Sequence, residues 1–226
     1  MSTSSQVKAG IHLAVQSAAT PRPAPGRRPG HPEGWPGGGA TGQEGAPKDC
    51  IKVVGLDLSL TSTGVAVVTG GRAAVDRITS KPTGTDLVHR WARLRDLHRE
   101  ITNWTIDSTL VVVEGLAFSR TTGHATERAG LWWLVVNRLL SCGYRVAIVP
   151  PTSRAKYGTG KGNAGKDHVL AAVVRRYPDV EVSGNDEADA LLLASMGARW
   201  LGSPIDDLPK THLAALDGAA WPEEDA

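Results

Sequence analysis

The sequence predicts an α/β fold in which a mixed sheet, with three antiparallel strands followed by parallel ones, is flanked by helices. Residues 51–58 and 109–114 are short apolar runs of the length expected for buried strands. Residues 64–79 contain two further strand-like segments joined by Gly70-Gly71, a strong hairpin signal. After residue 114, helix-like and strand-like segments alternate, which is typical of parallel strands connected by helices.

Apolar spacing and chain-breaking residues place the remaining elements. Leu87, Trp91, Leu94 and Leu97 follow a helical repeat, which predicts a helix over residues 86–104. The same reasoning gives helices at 122–142, 164–177 and 185–200, and a strand at 145–149 that Pro150-Pro151 should stop.

The chain divides into one domain and two expected tails. Residues 1–48 are rich in Gly, Pro, Ala and Ser and cannot bury enough apolar surface to order themselves, so we expect a disordered tail. A targeting peptide or a start codon assigned too far upstream would also explain this segment. Residues 202–226 are acidic and punctuated by proline, and we expect a flexible C-terminal tail there. The expected folded domain therefore spans residues 49–201.

Charge is distributed unevenly although the formal net charge is only +2. Residues 118–176 contain ten Lys or Arg side chains against two acidic ones. A basic stretch inside a near-neutral chain indicates a polyanionic partner such as nucleic acid. For any single basic residue, a solvated surface position is the simpler explanation.

Composition also argues against several classes of protein. Cys50 and Cys142 show neither metal-ligand spacing nor a disulfide framework, which favours a reducing compartment. No apolar run reaches the roughly 18 residues that a membrane helix needs. The N-terminus lacks the apolar core of a secretion signal. We therefore expect a cytoplasmic protein that makes no membrane contact.

Two acidic residues, Asp57 and Glu114, stand at the ends of the two most apolar runs. A carboxylate at the end of a buried strand is costly unless it is compensated, and hard divalent cations prefer oxygen ligands. Taken singly, Asp57 is as well explained as the start of a tight turn, and Glu114 as a strand end facing solvent. The two strands should be neighbours in the sheet centre, however, so the acids together indicate a site.

Asp186 and Asp189 open the last helix and lie three residues apart on one face. Acids in a first turn also suit the helix dipole, and we assign that role to Glu187, which points elsewhere on the helical wheel. With Asp57 and Glu114, the two aspartates complete a set of four carboxylates. Such a set can hold two Mg²⁺ ions about 3.5–4 Å apart for phosphodiester hydrolysis, with Asp57 bridging them. Mn²⁺ is expected to substitute.

Four motifs follow one another between residues 51 and 200. They are GLDLSLTSTG at 55–64, Val113-Glu114, the glycine-rich GTGKGNAGK at 158–166, and DEADA at 186–190. In this order they resemble the RuvC-type Holliday junction resolvases. The resemblance implies an RNase H-like fold, a homodimer and Mg²⁺-dependent nicking of branched DNA.

The resemblance also suggests residues that act on DNA. Lys166 aligns with the lysine that follows the family's glycine-rich segment and would offset charge on the attacked phosphate, although a solvated first-turn lysine is the plain alternative. Phe118, the only phenylalanine, follows Glu114, where related resolvases place an aromatic wedge; a loop aromatic packed on the core is the alternative. The full set of expected DNA contacts is Phe118, Arg120, Arg154, Lys156, Lys161 and Lys166.

Residues 131–134, with the sequence LWWL, are bulky on nearly every side of their helix. Core packing is the plain explanation. Because aromatic residues are enriched at interfaces, we expect one of the two tryptophans to help bury a dimer contact.

The sequence thus favours a structure-selective DNA endonuclease of recombination and repair, with branched DNA as partner. A sugar-kinase or actin-like ATPase opens with a similar phosphate-cradling turn. Those enzymes duplicate the fold and need a second glycine-rich phosphate-binding loop, and this chain is too short and has none. A non-catalytic nucleic-acid-binding protein would leave four mutually repelling acids without use. An RNase H-type nuclease acting on RNA–DNA hybrids shares the chemistry and remains open.

Overall fold

The computed structural model describes residues 51–116 and 124–223. Its centre is a five-stranded sheet in the order β3-β2-β1-β4-β5. The first three strands pair antiparallel, whereas β1, β4 and β5 run parallel, which confirms the predicted mixed sheet. The strands are β1 (Lys52–Asp57), β2 (Ser62–Thr69), β3 (Arg72–Thr79), β4 (Leu110–Glu114) and β5 (Val146–Val149).

Helices cover both faces of the sheet. They are α1 (Leu87–Trp104), α2 (Ala125–Ser141), α3 (Pro151–Thr159), α4 (Lys166–Arg176), α5 (Asn185–Trp200), the short α6 (Lys210–Leu213) and a 3-10 turn at Leu216–Gly218. Successive residues of β1 point to opposite faces, so Val53 packs with α5 whereas Val54 packs with α1 and α2. In the described part of the chain, no helix is both long and apolar enough to cross a membrane.

Helix α5 lies directly on the backbone of β1 and β2. A Cβ atom added at Gly55 would lie 2.2 Å from the Ala190 carbonyl oxygen, and one at Gly64 would lie 1.9 Å from the Asp186 carbonyl oxygen. Only glycine permits this approach. The helix is buried throughout residues 187–198. Its first turn is thereby fixed at the edge of the sheet where β1 ends.

Helix α3 was not expected from the sequence. The pair Pro150-Pro151 was predicted only to stop β5, but Pro151 begins a helix that ends at Gly160, where φ is 79°. Proline suits a first helical position because the amide hydrogen that it lacks has no helical partner there. This helix carries Arg154 and Lys156.

The C-terminal segment, residues 202–226, was predicted to be a flexible tail, and its described part instead packs on the domain. Ala220 forms an antiparallel bridge with Ile148 of β5, and Trp221 stacks on Trp200 with ring centroids 5.2 Å apart. These contacts cover the outer edge of the sheet, which would otherwise expose unpaired backbone groups. The domain therefore extends beyond the expected boundary.

The other helices begin and end close to their expected residues. The Asp86 carboxylate caps α1 by accepting hydrogen bonds from the backbone amides of Val88 at 2.9 Å and His89 at 3.1 Å. Helix α2 begins at Ala125, and its expected start at Thr122 lies outside the described residues.

Candidate active site

The register of β1 and β4 brings two acidic residues together. Leu56 and Val113 are partners in the parallel pairing, so Asp57 and Glu114 follow them at the same edge of the sheet. On its other side, Glu114 pairs with Val149 of β5. The predicted meeting of two acids at the centre of the sheet is therefore seen in the structure.

Helix α5 adds the remaining two carboxylates. In β2, Gly64 is the antiparallel partner of Asp57, and the backbone of Asp186 passes directly over Gly64. The Ser62 hydroxyl donates a hydrogen bond of 2.5 Å to the Asp186 carboxylate, which holds that side chain at the sheet edge. Asp189, one turn further along, is only 4% exposed.

A buried arginine lies between two of these carboxylates. Arg154 Nε donates to Glu114 Oε1 at 2.9 Å, and Nη2 lies 2.8 Å from the same oxygen. Arg154 Nη1 donates to Asp189 Oδ1. The arginine side chain is only 10% exposed. Three donors of one guanidinium thus join the end of β4 to the first turns of α5.

Burial and neighbouring acids raise the pKa of two carboxyl groups in the cluster. Burial, followed by the adjacent charge of Glu114 and a hydrogen bond shared with it, raises the pKa of Asp57 well above its usual range. Burial also raises the pKa of Asp189 to about 6, although Arg154 and Lys166 act in the opposite direction. Both pKa values are raised although Arg154 lies beside these carboxylates, so its positive charge offsets the effects of burial and of the neighbouring acids only in part.

The donor set suits a hard divalent cation in its chemistry, because it consists of carboxylate oxygens with excess negative charge. Within residues 51–116 and 124–223, however, no three or more His, Cys, Asp or Glu side chains are arranged to hold a metal ion. In this arrangement the Arg154 guanidinium donates to one oxygen of Glu114 and to one oxygen of Asp189.

The expected DNA contacts differ in their placement. Lys166 is exposed at the first position of α4 and is near enough to lower the pKa of Asp189. Lys161 is exposed in the loop after α3. Lys156 is half-buried, with Nζ 3.5 Å from the Ala214 carbonyl oxygen.

The other three residues predicted to contact DNA are Arg154, Phe118 and Arg120. Arg154 was predicted to contact DNA, and the structure places it inside the carboxylate cluster, where it pairs with Glu114 and Asp189. Phe118 and Arg120 lie outside the described residues, so the wedge remains a prediction.

Sequence reasoning missed two features of the site. Ser62 and Asp186 are 124 positions apart in the chain, and the residues around Ser62 give no signal that predicts their contact. The pairing of Arg154 depends on α3, which was not foreseen. The available signal was an arginine three residues after the Pro151 helix start, where a side chain of the first turn can face the end of β4.

Comparison with known proteins rests on structure, because no protein-family model matches the chain and no curated protein matches its sequence. RuvC of Thermus thermophilus aligns with a TM-score of 0.53 and 20% identity over 68% of this chain and 98% of RuvC. The chain has the RNase H-like fold of the RuvC-type resolvases. T. thermophilus RuvC in complex with a Holliday junction substrate gives a TM-score of 0.53 at 18% identity, covering 68% of this chain and 97% of RuvC.

A third structure, the yeast mitochondrial Holliday junction resolvase Ydc2, aligns with a TM-score of 0.47 and 12% identity over 71% of this chain and 82% of its own. At these identities the RuvC likeness establishes the fold.

Proposed function

We propose that this protein is a Mg²⁺-dependent, structure-selective DNA endonuclease that resolves Holliday junctions or other branched DNA. The observation that carries the proposal is the gathering of Asp57, Glu114 and Asp189 at one edge of the sheet, with Asp186 beside them. The fold is that of RuvC, which is known in complex with a Holliday junction substrate. In this proposal the protein acts in the cytoplasm, in recombination and repair.

The four carboxylates would hold the metal, with two Mg²⁺ ions per site and Mn²⁺ as a substitute. When bound, such ions lower the pKa of water and stabilise the departing 3′-oxygen during phosphodiester hydrolysis. The chain's own contribution is positioning. Asp57 and Glu114 are fixed by strand pairing, and Ser62 orients Asp186.

Lys166 is proposed to meet the phosphate as negative charge develops on it. Its ammonium group is exposed, yet close enough to the cluster to affect Asp189. A positive charge placed where the transition state accumulates negative charge accelerates the reaction more than it strengthens ground-state binding.

We expect Lys166→Ala to reduce the single-turnover cleavage rate about 100-fold, the usual effect of losing one transition-state donor. Junction affinity, measured by fluorescence anisotropy without metal, should change little. Lys161→Ala is the matched comparison, since an exposed loop lysine should contribute to affinity and its salt dependence instead. If affinity falls as far as the rate in Lys166→Ala, the residue is a phosphate anchor only.

The homodimer is proposed from the outer face of α2. Leu131 is fully buried in the core, whereas Trp133, Leu134 and Leu140 are 61%, 44% and 57% exposed. Trp132 is partly buried, and its indole donates a hydrogen bond to the Glu114 carbonyl oxygen. This bond joins α2 to the end of β4, where the carboxylate cluster lies. A two-fold axis through α2 would present two sites to opposing strands of a junction.

Trp133→Glu should convert the dimer to a monomer, because a buried interface does not tolerate an unpaired carboxylate. The measurement is light scattering of the purified protein at micromolar concentration. Trp91→Glu is the control, since Trp91 is also exposed, at 55%, but belongs to α1. A monomeric wild-type protein would contradict the proposed dimer. A dimer that persists in Trp133→Glu would show that α2 does not form its interface.

A substrate panel tests the proposed function. Purified protein is incubated with labelled four-way junction, fork, flap, linear duplex and RNA–DNA hybrid, with Mg²⁺ or with EDTA. We expect Mg²⁺-dependent incision that is strongest on branched DNA. Selective cleavage of the hybrid would instead indicate an RNase H-type activity, and tight binding without cleavage would indicate a non-catalytic protein. ATP hydrolysis without incision would favour the ATPase class.

A further inference from the structure

Arg154 is an unusual component for a site that is proposed to bind divalent metal ions. The arginine side chain is 10% exposed, and the Glu114 and Asp189 side chains that it joins are 14% and 6% exposed. Its fork-shaped guanidinium therefore makes charge-assisted hydrogen bonds away from bulk solvent, where they are strongest.

The guanidinium holds two groups that would be metal ligands. Nε and Nη2 both contact Glu114 Oε1, and Nη1 contacts Asp189 Oδ1. A divalent cation bound by the same carboxylates would either need those oxygens or stand beside a fixed positive charge. Both effects oppose metal binding for as long as Arg154 keeps its position.

The same contacts keep the site assembled without metal. Glu114 ends β4, Asp189 lies on α5 and Arg154 comes from α3, so one side chain joins three elements. Buried carboxylates that lacked a cation would repel each other and lose hydrogen-bond partners. A single arginine thus supplies part of the charge balance that metal ions would otherwise provide.

We propose that Arg154 is a built-in counter-ion of the carboxylate cluster, which a divalent metal ion must displace from Glu114 and Asp189 in order to bind. This inference rests on the proposed metal-dependent function. In that scheme Arg154 is a positioning residue: it preforms the site and lowers its metal affinity, and it takes no part in the chemistry through its own bonds.

The test measures metal binding in the absence of DNA. EDTA-treated protein, freed of EDTA, is titrated with Mn²⁺ at pH 8 in a calorimeter. Arg154→Gln should bind Mn²⁺ about tenfold more tightly than wild type, which corresponds to about 1.4 kcal/mol. Arg154→Lys, which keeps the charge but loses the fork, should lie between the two. Arg175→Gln, the same change at an exposed position of α4, should match wild type.

Thermal unfolding supplies a second readout that needs no activity. Without metal, Arg154→Gln should melt at a lower temperature than wild type, because two buried carboxylates lose their partner. Saturating Mn²⁺ should raise its melting temperature by more than it raises that of wild type, as tighter binding requires. Arg154→Lys keeps this comparison usable if the glutamine variant does not fold.

The outcomes separate this inference from the proposed function. Equal or weaker Mn²⁺ binding by folded Arg154→Gln and Arg154→Lys overturns the counter-ion role and leaves the metal-dependent function standing. If neither wild type nor any variant binds Mn²⁺, both the inference and the proposed metal chemistry are wrong.

Discussion

Asp57→Asn should reduce junction cleavage by about a thousandfold or more while leaving junction binding intact. Asp57 is central in the cluster, since its carboxylate interacts with Glu114, Asp189 and Arg154. An amide in its place is uncharged and would bind metal ions more weakly. The reacting phosphate should therefore be stabilised less, and the cleavage rate should fall by as much as it does when a key electrostatic group is removed. Rates are measured in single-turnover assays and binding by gel shift in EDTA.

The same substitution should change how metal-free stability depends on pH. The folded-state pKa of Asp57 is raised above its ordinary value of 3.8, so the native state binds more protons than the unfolded chain between these two values. Stability must then fall as pH rises through that range. Asp189, with its pKa raised to about 6, acts in the same direction. Asp57→Asn removes one of these two contributions.

Urea unfolding in EDTA at pH 5 and pH 8 measures the effect. Between pH 5 and pH 8, the free energy of unfolding should fall more for wild type than for Asp57→Asn. The stability of the variant relative to wild type should therefore be higher at pH 8 than at pH 5. Asp179→Asn, at an exposed position, should keep the wild-type pH dependence. Full cleavage activity in Asp57→Asn, or an unchanged pH dependence, would remove Asp57 from the cluster described above.

Gly64→Ala should lower the free energy of unfolding by about 3 kcal/mol or more, at the upper end of single-residue effects. The added methyl carbon would lie 1.9 Å from the carbonyl oxygen and 2.4 Å from the carbonyl carbon of Asp186. Both atoms belong to the backbone of a buried helix, so no side-chain rotation relieves the overlap. Helix α5 would have to shift away from β2, carrying Asp186 and Asp189 with it.

Gly130→Ala is a matched control for this prediction. Gly130 lies inside α2, and among the residues that the structure describes an added Cβ would meet only Leu94 Cδ1, at 4.0 Å. Alanine favours helices over glycine, so this variant should gain up to about 1 kcal/mol. Equal unfolding free energies for Gly64→Ala and wild type, measured by urea denaturation, would mean that α5 does not sit on β2 at this distance.

The strands and the four acids could be predicted because their signals are local. Apolar runs that end in Asp57 and Glu114 indicate buried strands, and parallel neighbours place their C-terminal residues at one edge. The glycines that seat α5 were visible only as part of a turn motif at residues 55–64. Their packing role depends on which helix crosses them, and the local sequence pattern does not predict which helix that is.

The parts that sequence reasoning missed depend on tertiary contacts. Helix α3 is held by Tyr157, which is fully buried and bonds through its hydroxyl to Asp206. That contact also pins the C-terminal segment that was expected to be flexible. Arg154 on this helix reaches Glu114 and Asp189. A basic residue predicted to contact DNA is thus found inside the carboxylate cluster, on a helix whose buried tyrosine contacts a residue 49 positions away.

The most direct test of the central claim is the chemistry and symmetry of the cut. A four-way junction labelled on all strands is incubated with wild type in Mg²⁺, and the products are treated with DNA ligase. We expect paired nicks in two opposing strands, with 5′-phosphate and 3′-hydroxyl ends that ligase reseals, and no nicks in EDTA or with Asp57→Asn. Cleavage that persists in EDTA, or no incision of any branched DNA in Mg²⁺, would contradict a metal-dependent resolvase site built on these carboxylates.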